Sequence, residues 1–206
     1  MTVAAVLGAV GVVLNQVFIW PQVARALRTT QGVAALSVLG GLLARASWSV
    51  YGTVLGDRAL VLGNVTVTLG FLLLLVLLLR DGRPRRPLLL GGLVVVVVLA
   101  VASAVGGLVL GWTAVATAAV VNLPQMLRAL SDRDRLAGVS VPTYLLIASA
   151  SACWLSYGVV VGEPLISAPH YVLLPTALVV AALASASHRR ASGVADRAHA
   201  GGAARP

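Results

Sequence analysis

The stretch Leu14 to Leu27, LNQVFIWPQVARAL, has a partial copy at Val120 to Leu130, VVNLPQMLRAL. Pro21, Gln22, Arg25, Ala26 and Leu27 return as Pro124, Gln125, Arg128, Ala129 and Leu130, so five of the seven positions of PQxxRAL are identical at an offset of 103 residues. A match of this kind is an internal repeat, and it orders the rest of the chain. Each copy sits at the end of an apolar run, where the proline removes an amide donor and frees the carbonyl four residues earlier, Val17 or Val120. In a membrane helix such a break is tolerated only where neighbours or a water-filled cavity satisfy the freed group. A single copy would be read equally well as a helix ending near a proline. Two matched copies predict hinges at Pro21 and Pro124, with the amides of Gln22 and Gln125, which both donate and accept, capping or bridging the helix ends.

Composition fixes the solvent. Of 206 residues, 59% are hydrophobic and 10% charged, too little polar surface to cover a soluble globule, so the chain is an integral membrane protein. The net charge of +9 arises from 15 arginines and no lysine. These arginines are interspersed between apolar runs and do not form one stripe, which makes them a topology signal and excludes a nucleic-acid partner. Absence of lysine excludes retinal-type pigments and Schiff-base enzymes, which need that amine. Cys153 is alone, so there is no disulfide framework and no cysteine-rich metal site. The apolar N-terminus lacks a basic region and a small-residue cleavage site, and reads as a retained helix. Alanine-, valine- and arginine-rich usage without lysine points to a high-GC bacterium.

Apolar runs of about 20 residues, the length that crosses the hydrocarbon core, predict seven transmembrane helices at 3–27, 34–55, 58–80, 87–106, 110–130, 140–161 and 165–187. The segments following the first, third, fifth and seventh carry 13 of the 15 arginines, and the opposite side carries Arg58 alone. That imbalance predicts an N-terminus outside, a C-terminus in the cytoplasm and multi-pass residence in the plasma membrane. The small, polar, arginine-bearing tail 188–206 is expected to be disordered.

The repeat extends past the proline motif. ASWSVYG (Ala46 to Gly52) matches ACWLSYG (Ala152 to Gly158) at an offset of 106, and Gly56-Asp57 matches Gly162-Glu163 at the same offset. The change from 103 to 106 is a three-residue insertion in the arginine-rich loop SDRDR. The expected architecture is an all-α membrane protein of two parallel three-helix repeats, 1–81 and 110–187, joined by a linker helix in 82–109 that restores parallel orientation.

Two PQ motifs, each in a three-helix unit, with a single helix between them, resemble the PQ-loop superfamily and within it the SWEET sugar transporters. The resemblance covers residues 1 to about 187 and implies the full-length seven-helix form. Family members place a tryptophan of the second helix and an asparagine of the third around the substrate in each unit. The tryptophans here are Trp48 and Trp154, and the third-helix positions, 16 residues on in both copies, are Asn64 and His170. The resemblance further implies a set of four prolines near the cytoplasmic gate. Pro21, Pro124 and Pro142 fill three of these places, while Leu36 occupies the fourth. PQ-loop proteins also include amino-acid exporters and sorting receptors.

Helix geometry supports one site independently of the family. At about 1.5 Å per residue, Trp48 lies roughly 10 Å below the outer end of its helix and Asn64 roughly 9 Å below that of the next, with Trp154 and His170 at nearly the same depths. A tryptophan face stacks on the apolar face of a sugar ring, while an amide or imidazole hydrogen-bonds its hydroxyls. Taken singly, either Trp also suits an interfacial anchor, and Asn64 also suits helix–helix glue. The matched spacing in both units favours the pocket. Tyr51 and Tyr157 are expected to anchor the outer interface, and Ser140 and Thr143 to cap a helix start.

Arg45 lies near the middle of its helix and three residues before Trp48, hence on the same face. A charge at that depth costs about 3 kcal/mol on insertion scales. It either binds an anionic substrate or a substrate hydroxyl, or else satisfies carbonyls freed at a broken helix or snorkels. Asp57 and Glu163 fall at outer loops, so no buried carboxylate relay is available and facilitated diffusion is favoured over proton coupling, with His170 the one exception. No catalytic Ser, His and acid combination, phosphate loop or metal cluster is present, so neither an enzyme nor a cofactor is implied. The sequence thus predicts a sugar uniporter working by alternating access, with an amino-acid or small organic-anion carrier and a non-transporting sorting receptor as alternatives. It leaves open the choice of substrate, the direction of flux and assembly into homo-oligomers.

Overall fold

Backbone placed in hydrocarbon has to satisfy its hydrogen bonds within its own segment, so apolar runs of this length become helices. The computed structural model describes residues 1–31, 33–131 and 140–202, with backbone alone at 121–131, 188 and 190–202. Its helices are α1 (Val3–Ala26), α2 (Ala35–Leu55), α3 (Arg58–Arg80), α4 (Arg85–Val105), α5 (Gly107–Ser131), α6 (Val141–Val161), α7 (Pro164–Ser167) and α8 (His170–Gly202), and no strand occurs among the described residues. Among the described residues, five stretches are long and apolar enough to cross a membrane: Val3–Ala26, Arg58–Arg80, Arg85–Val105, Val141–Val161 and Pro164–Ser187. The protein is a multi-pass membrane protein.

Helix α2 is absent from those five for a physical reason. It is surrounded by α3, α4 and α5, so it meets protein more than lipid and accommodates polar residues. Ser47, Ser49 and Thr53 return their hydroxyls to the carbonyls of Leu43, Arg45 and Ser49 at 2.8, 2.8 and 3.0 Å. That pattern satisfies a hydroxyl within its own helix and needs no outside partner.

Packing is reciprocal. Helix α3 contacts both α1 and α2, and α8 contacts both α5 and α6. Across the middle, α1 packs on α6 and α2 on α5, while α4 lies against α2 and α5. Exchanging the group α1, α2, α3 with the group α5, α6, α8 leaves their mutual contacts unchanged, as a twofold-like relation requires, and α4 breaks the pattern. The repeat is equally visible at helix ends. Gly56 and Gly162 follow α2 and α6 in the left-handed region, at φ 68° and 75°, where a side chain would be strained. Leu36 and Pro142 are each the second residue of their helix, so they occupy the same place in the two groups.

One expectation is corrected. The apolar run 165–187 is not one helix, because Pro169 has no amide to continue α7 and its ring would clash with the carbonyl four residues back. A four-residue helix, Pro164–Ser167, therefore precedes α8. The backbone of α8 is described as far as Gly202. Residue 32 and residues 132–139, which hold all of the SDRDR loop after Ser131, lie outside the described residues.

Candidate functional site

A cavity of about 290 Å³ lies where the two helix groups meet. Arg45, Trp48, Asn64, Trp154 and His170 all line it, so the five residues singled out by spacing surround one space. Trp48 is 7% exposed and Trp154 5%, which removes the interfacial-anchor reading for both. Trp20 and Trp112, 42% and 55% exposed, are the tryptophans that face outward.

The polar groups are not equivalent across the cavity. Asn64 is buried in the second turn of α3; its Nδ2 donates to the Leu60 carbonyl at 2.9 Å and its Oδ1 accepts from Arg45 Nη1 at 3.2 Å. His170 opens α8 after the Pro169 break, so it sits at a helix start where Asn64 sits within a helix. Its Nδ1 is buried and has no hydrogen-bond partner among the described residues. Arg45 also has an unequal counterpart. The position 106 residues on is Ser151, buried and lining the same cavity.

Sequence reasoning missed Asn15. This cavity-lining residue is 4% exposed. Its Nδ2 donates to the Gly63 carbonyl at 3.1 Å, and its Oδ1 accepts from Trp154 Nε1 at 3.4 Å, joining α1 and α3 to a tryptophan of the other group. The adjacent amides Asn15 and Gln16 inside an apolar run were the available signal. The repeat concealed it, because the corresponding residue of α5 is Ala118.

The two tyrosines do more than anchor. Tyr157 Oη donates to both oxygens of Asp57 at 2.8 Å, and Tyr51 Oη donates to Glu163 Oε1 at 3.0 Å. Each hydroxyl therefore crosses to the carboxylate of the opposite group. The local sequence builds this pair twice. The amides of Asp57 and Glu163 return to the carbonyls of Gly52 and Gly158 at 2.8 and 2.9 Å. A Cβ at Gly52 would stand 3.0 Å from the Val61 amide nitrogen, and one at Gly158 would stand 2.8 Å from that of Ser167, so only glycine allows so close a turn. The tyrosine rings also meet the cavity tryptophans edge to face, Trp48 with Tyr51 at 6.0 Å and Trp154 with Tyr157 at 5.5 Å. Together with Leu60, Leu165 and Ile166 these rings form a buried cluster that fills the end of the bundle bearing Asp57 and Glu163.

Toward the arginine-rich end the cavity reaches Gln22, an exposed residue of α1. Helix α1 runs unbroken through Pro21 to Ala26, so Gln22 lines the cavity and does not cap a helix end. A proline one turn from a helix terminus bends the ladder without stopping it. Pro142 lies in the first turn of α6, where its missing amide costs nothing. Pro124 and Gln125 fall on the backbone of α5, and their side chains lie outside the described residues.

No protein-family model matches the chain, and no curated protein matches it. Among solved structures, that of a eukaryotic SWEET transporter matches it with a TM-score of 0.77, over 89% of this chain and 96% of that one, at 17% sequence identity. The chain shares the fold of that protein.

Proposed function

We propose that the protein carries a small sugar across the membrane by alternating access and facilitated diffusion. The observation that carries this reading is the pair of buried tryptophans, Trp48 and Trp154, enclosing with Asn64 and His170 one cavity of about 290 Å³ between two reciprocally packed helix groups. That volume is at the small end of ligand pockets, and the lining combines apolar walls with a few polar groups, as small-molecule sites do. It suits a mono- or disaccharide better than the peptide a sorting receptor would hold. The SWEET transporter whose fold it shares supports transport over reception.

The chain is arranged as three helices, one linker helix and three helices, with seven spans once α7 and α8 are taken as one crossing. Parallel repeats with a site at their interface are a known carrier plan. Residues 1–81 and 110–187 rock about Pro21 and Pro124, with Gln22, Gln125 and Pro142 at the inner gate. The arginine-rich ends face the cytoplasm, so the tyrosine–carboxylate pairs close the outside while the cavity reaches toward the inside. A sugar entering from the cytoplasm stacks on the tryptophans. Because Tyr51 and Tyr157 rest against those rings, substrate contact is transmitted to the outer closure.

The test is counterflow of labelled glucose and sucrose in proteoliposomes. Wild-type protein should exchange at least one of them, and Trp48→Ala and Asn64→Ala should each abolish exchange while remaining monodisperse. Exchange that survives both substitutions would place the sugar elsewhere.

A further inference from the structure

Given the sugar-carrier reading, on which this inference rests, the cavity has a charge that a neutral sugar does not need. Arg45 projects into it and uses one donor on Asn64 Oδ1; a guanidinium has five. The carboxylates that could balance it are engaged elsewhere. Among the described residues, Asp57 accepts from Tyr157, Glu163 from Tyr51 and Asp81 from Thr30, and none of the three lines the cavity. A half-buried guanidinium lining a cavity, with no carboxylate facing it among the described residues, is an anion site in waiting.

The internal repeat supplies a control for this argument. At the matching position of α6 the fold accepts Ser151, fully enclosed at 3% exposure. The helix therefore does not require arginine at this place for packing. Across the same cavity His170 Nδ1 is buried with no partner among the described residues, leaving one further polar group for the ligand.

We infer that the substrate is an acidic sugar of the uronate class: its ring lies between Trp48 and Trp154, its carboxylate takes the free fork of Arg45, and a hydroxyl meets His170 Nδ1. Arginine suits this task because its planar fork binds a carboxylate through two parallel hydrogen bonds. The substrate neutralises the cavity for the crossing, and each crossing moves one negative charge.

Counterflow of labelled glucuronate, glucose and chloride, in the same proteoliposomes, tests this. Wild-type protein should carry glucuronate roughly tenfold or more faster than glucose, the scale of one charge-assisted hydrogen bond. Arg45→Ser, the substitution that the second repeat already carries, should lower the glucuronate-to-glucose ratio by about the same factor, and Arg45→Lys should restore part of it. A second reading needs no variant: an inside-positive potassium diffusion potential should accumulate glucuronate and leave glucose equilibrated. Glucose exchange with no glucuronate preference and no response to potential would overturn the inference and leave the carrier reading standing. Chloride exchange without glucuronate preference would also overturn it, assigning Arg45 to an inorganic anion. Glucuronate binding, measured by equilibrium dialysis, without exchange would keep the anion site and overturn transport. Neither binding nor exchange of any of the three would overturn both.

Discussion

The ring of Trp154 fits beside α1 and α3 because Gly11 and Gly63 have no side chains. A Cβ at Gly11 would stand 2.8 Å from Cε2 of the ring and one at Gly63 would stand 3.1 Å from Cζ2. Asn15 completes this seat by holding the indole nitrogen and the Gly63 carbonyl together. Replacing Asn15 with alanine removes both bonds and leaves a buried carbonyl with one partner fewer. Interhelical hydrogen bonds in membranes contribute about 0.6 kcal/mol each on average, so about 1 kcal/mol is at stake. Asn15→Ala should therefore lower the melting temperature of the detergent-purified protein by about 2–4 °C and weaken substrate binding by loosening Trp154. An unchanged melting curve with unchanged affinity would mean that Trp154 is seated by packing alone. Trp48, Trp154, Asn64 and His170 were legible in the sequence because the repeat marks them twice. Asn15 was not, because its partners sit 48 and 139 residues away and its own copy is alanine.

At the scale of elements, α2 and α6 each carry a three-part lever within their last two turns: a cavity tryptophan, a tyrosine three residues later and a glycine-capped end that delivers the next acidic residue. The tyrosines extend to the opposite group, so the two levers lock each other. A hydrogen bond to a charged acceptor contributes about 1.5–3 kcal/mol, and these pairs are only part-buried, which favours the lower figure. Removing both hydroxyls in Tyr51→Phe with Tyr157→Phe should thus weaken closure of this end by about 3 kcal/mol, roughly a hundredfold in the closed-to-open ratio. Spin labels on cysteines placed at the exposed residues Leu55 and Val161, in a Cys153→Ser background, should report a longer distance population in the double variant. Identical distance distributions would show that the aromatic cluster closes this end without the hydroxyls. The sequence marked these tyrosines and carboxylates as repeated but could not pair them. Each bond joins residues 100 or 112 apart, and only the reciprocal packing of α1 on α6 and α2 on α5 brings them together. The division of the last span at Pro169 was likewise hidden, since the apolar composition runs across it.

For the whole molecule, charge and shape point the same way. Arg25, Arg28, Arg80, Arg83, Arg85 and Arg86 are all exposed at the ends of α1, α3 and the start of α4, and the opposite end has Arg58. A bilayer sorts such a bundle by retaining arginine-rich loops on the side of synthesis. The carboxylates at the other end are bonded to tyrosines and add little to this bias, since acidic residues weigh weakly in the rule. Orientation can therefore be measured directly. Single cysteines at Thr2, Arg58 and Arg83, again without Cys153, should divide sharply in intact cells treated with a membrane-impermeant maleimide. Positions 2 and 58 should label from outside, and position 83 only after the cells are opened. Labelling of position 83 in sealed cells would invert the molecule, placing the tyrosine–carboxylate closure on the cytoplasmic side and reversing which solution the observed cavity approaches. Two further single cysteines, at Leu55 and Gln22, test the proposed rocking motion. Substrate that favours the opposite state should raise solvent access at Leu55 and lower it at Gln22, whereas parallel changes at both ends would argue for a pore rather than a carrier.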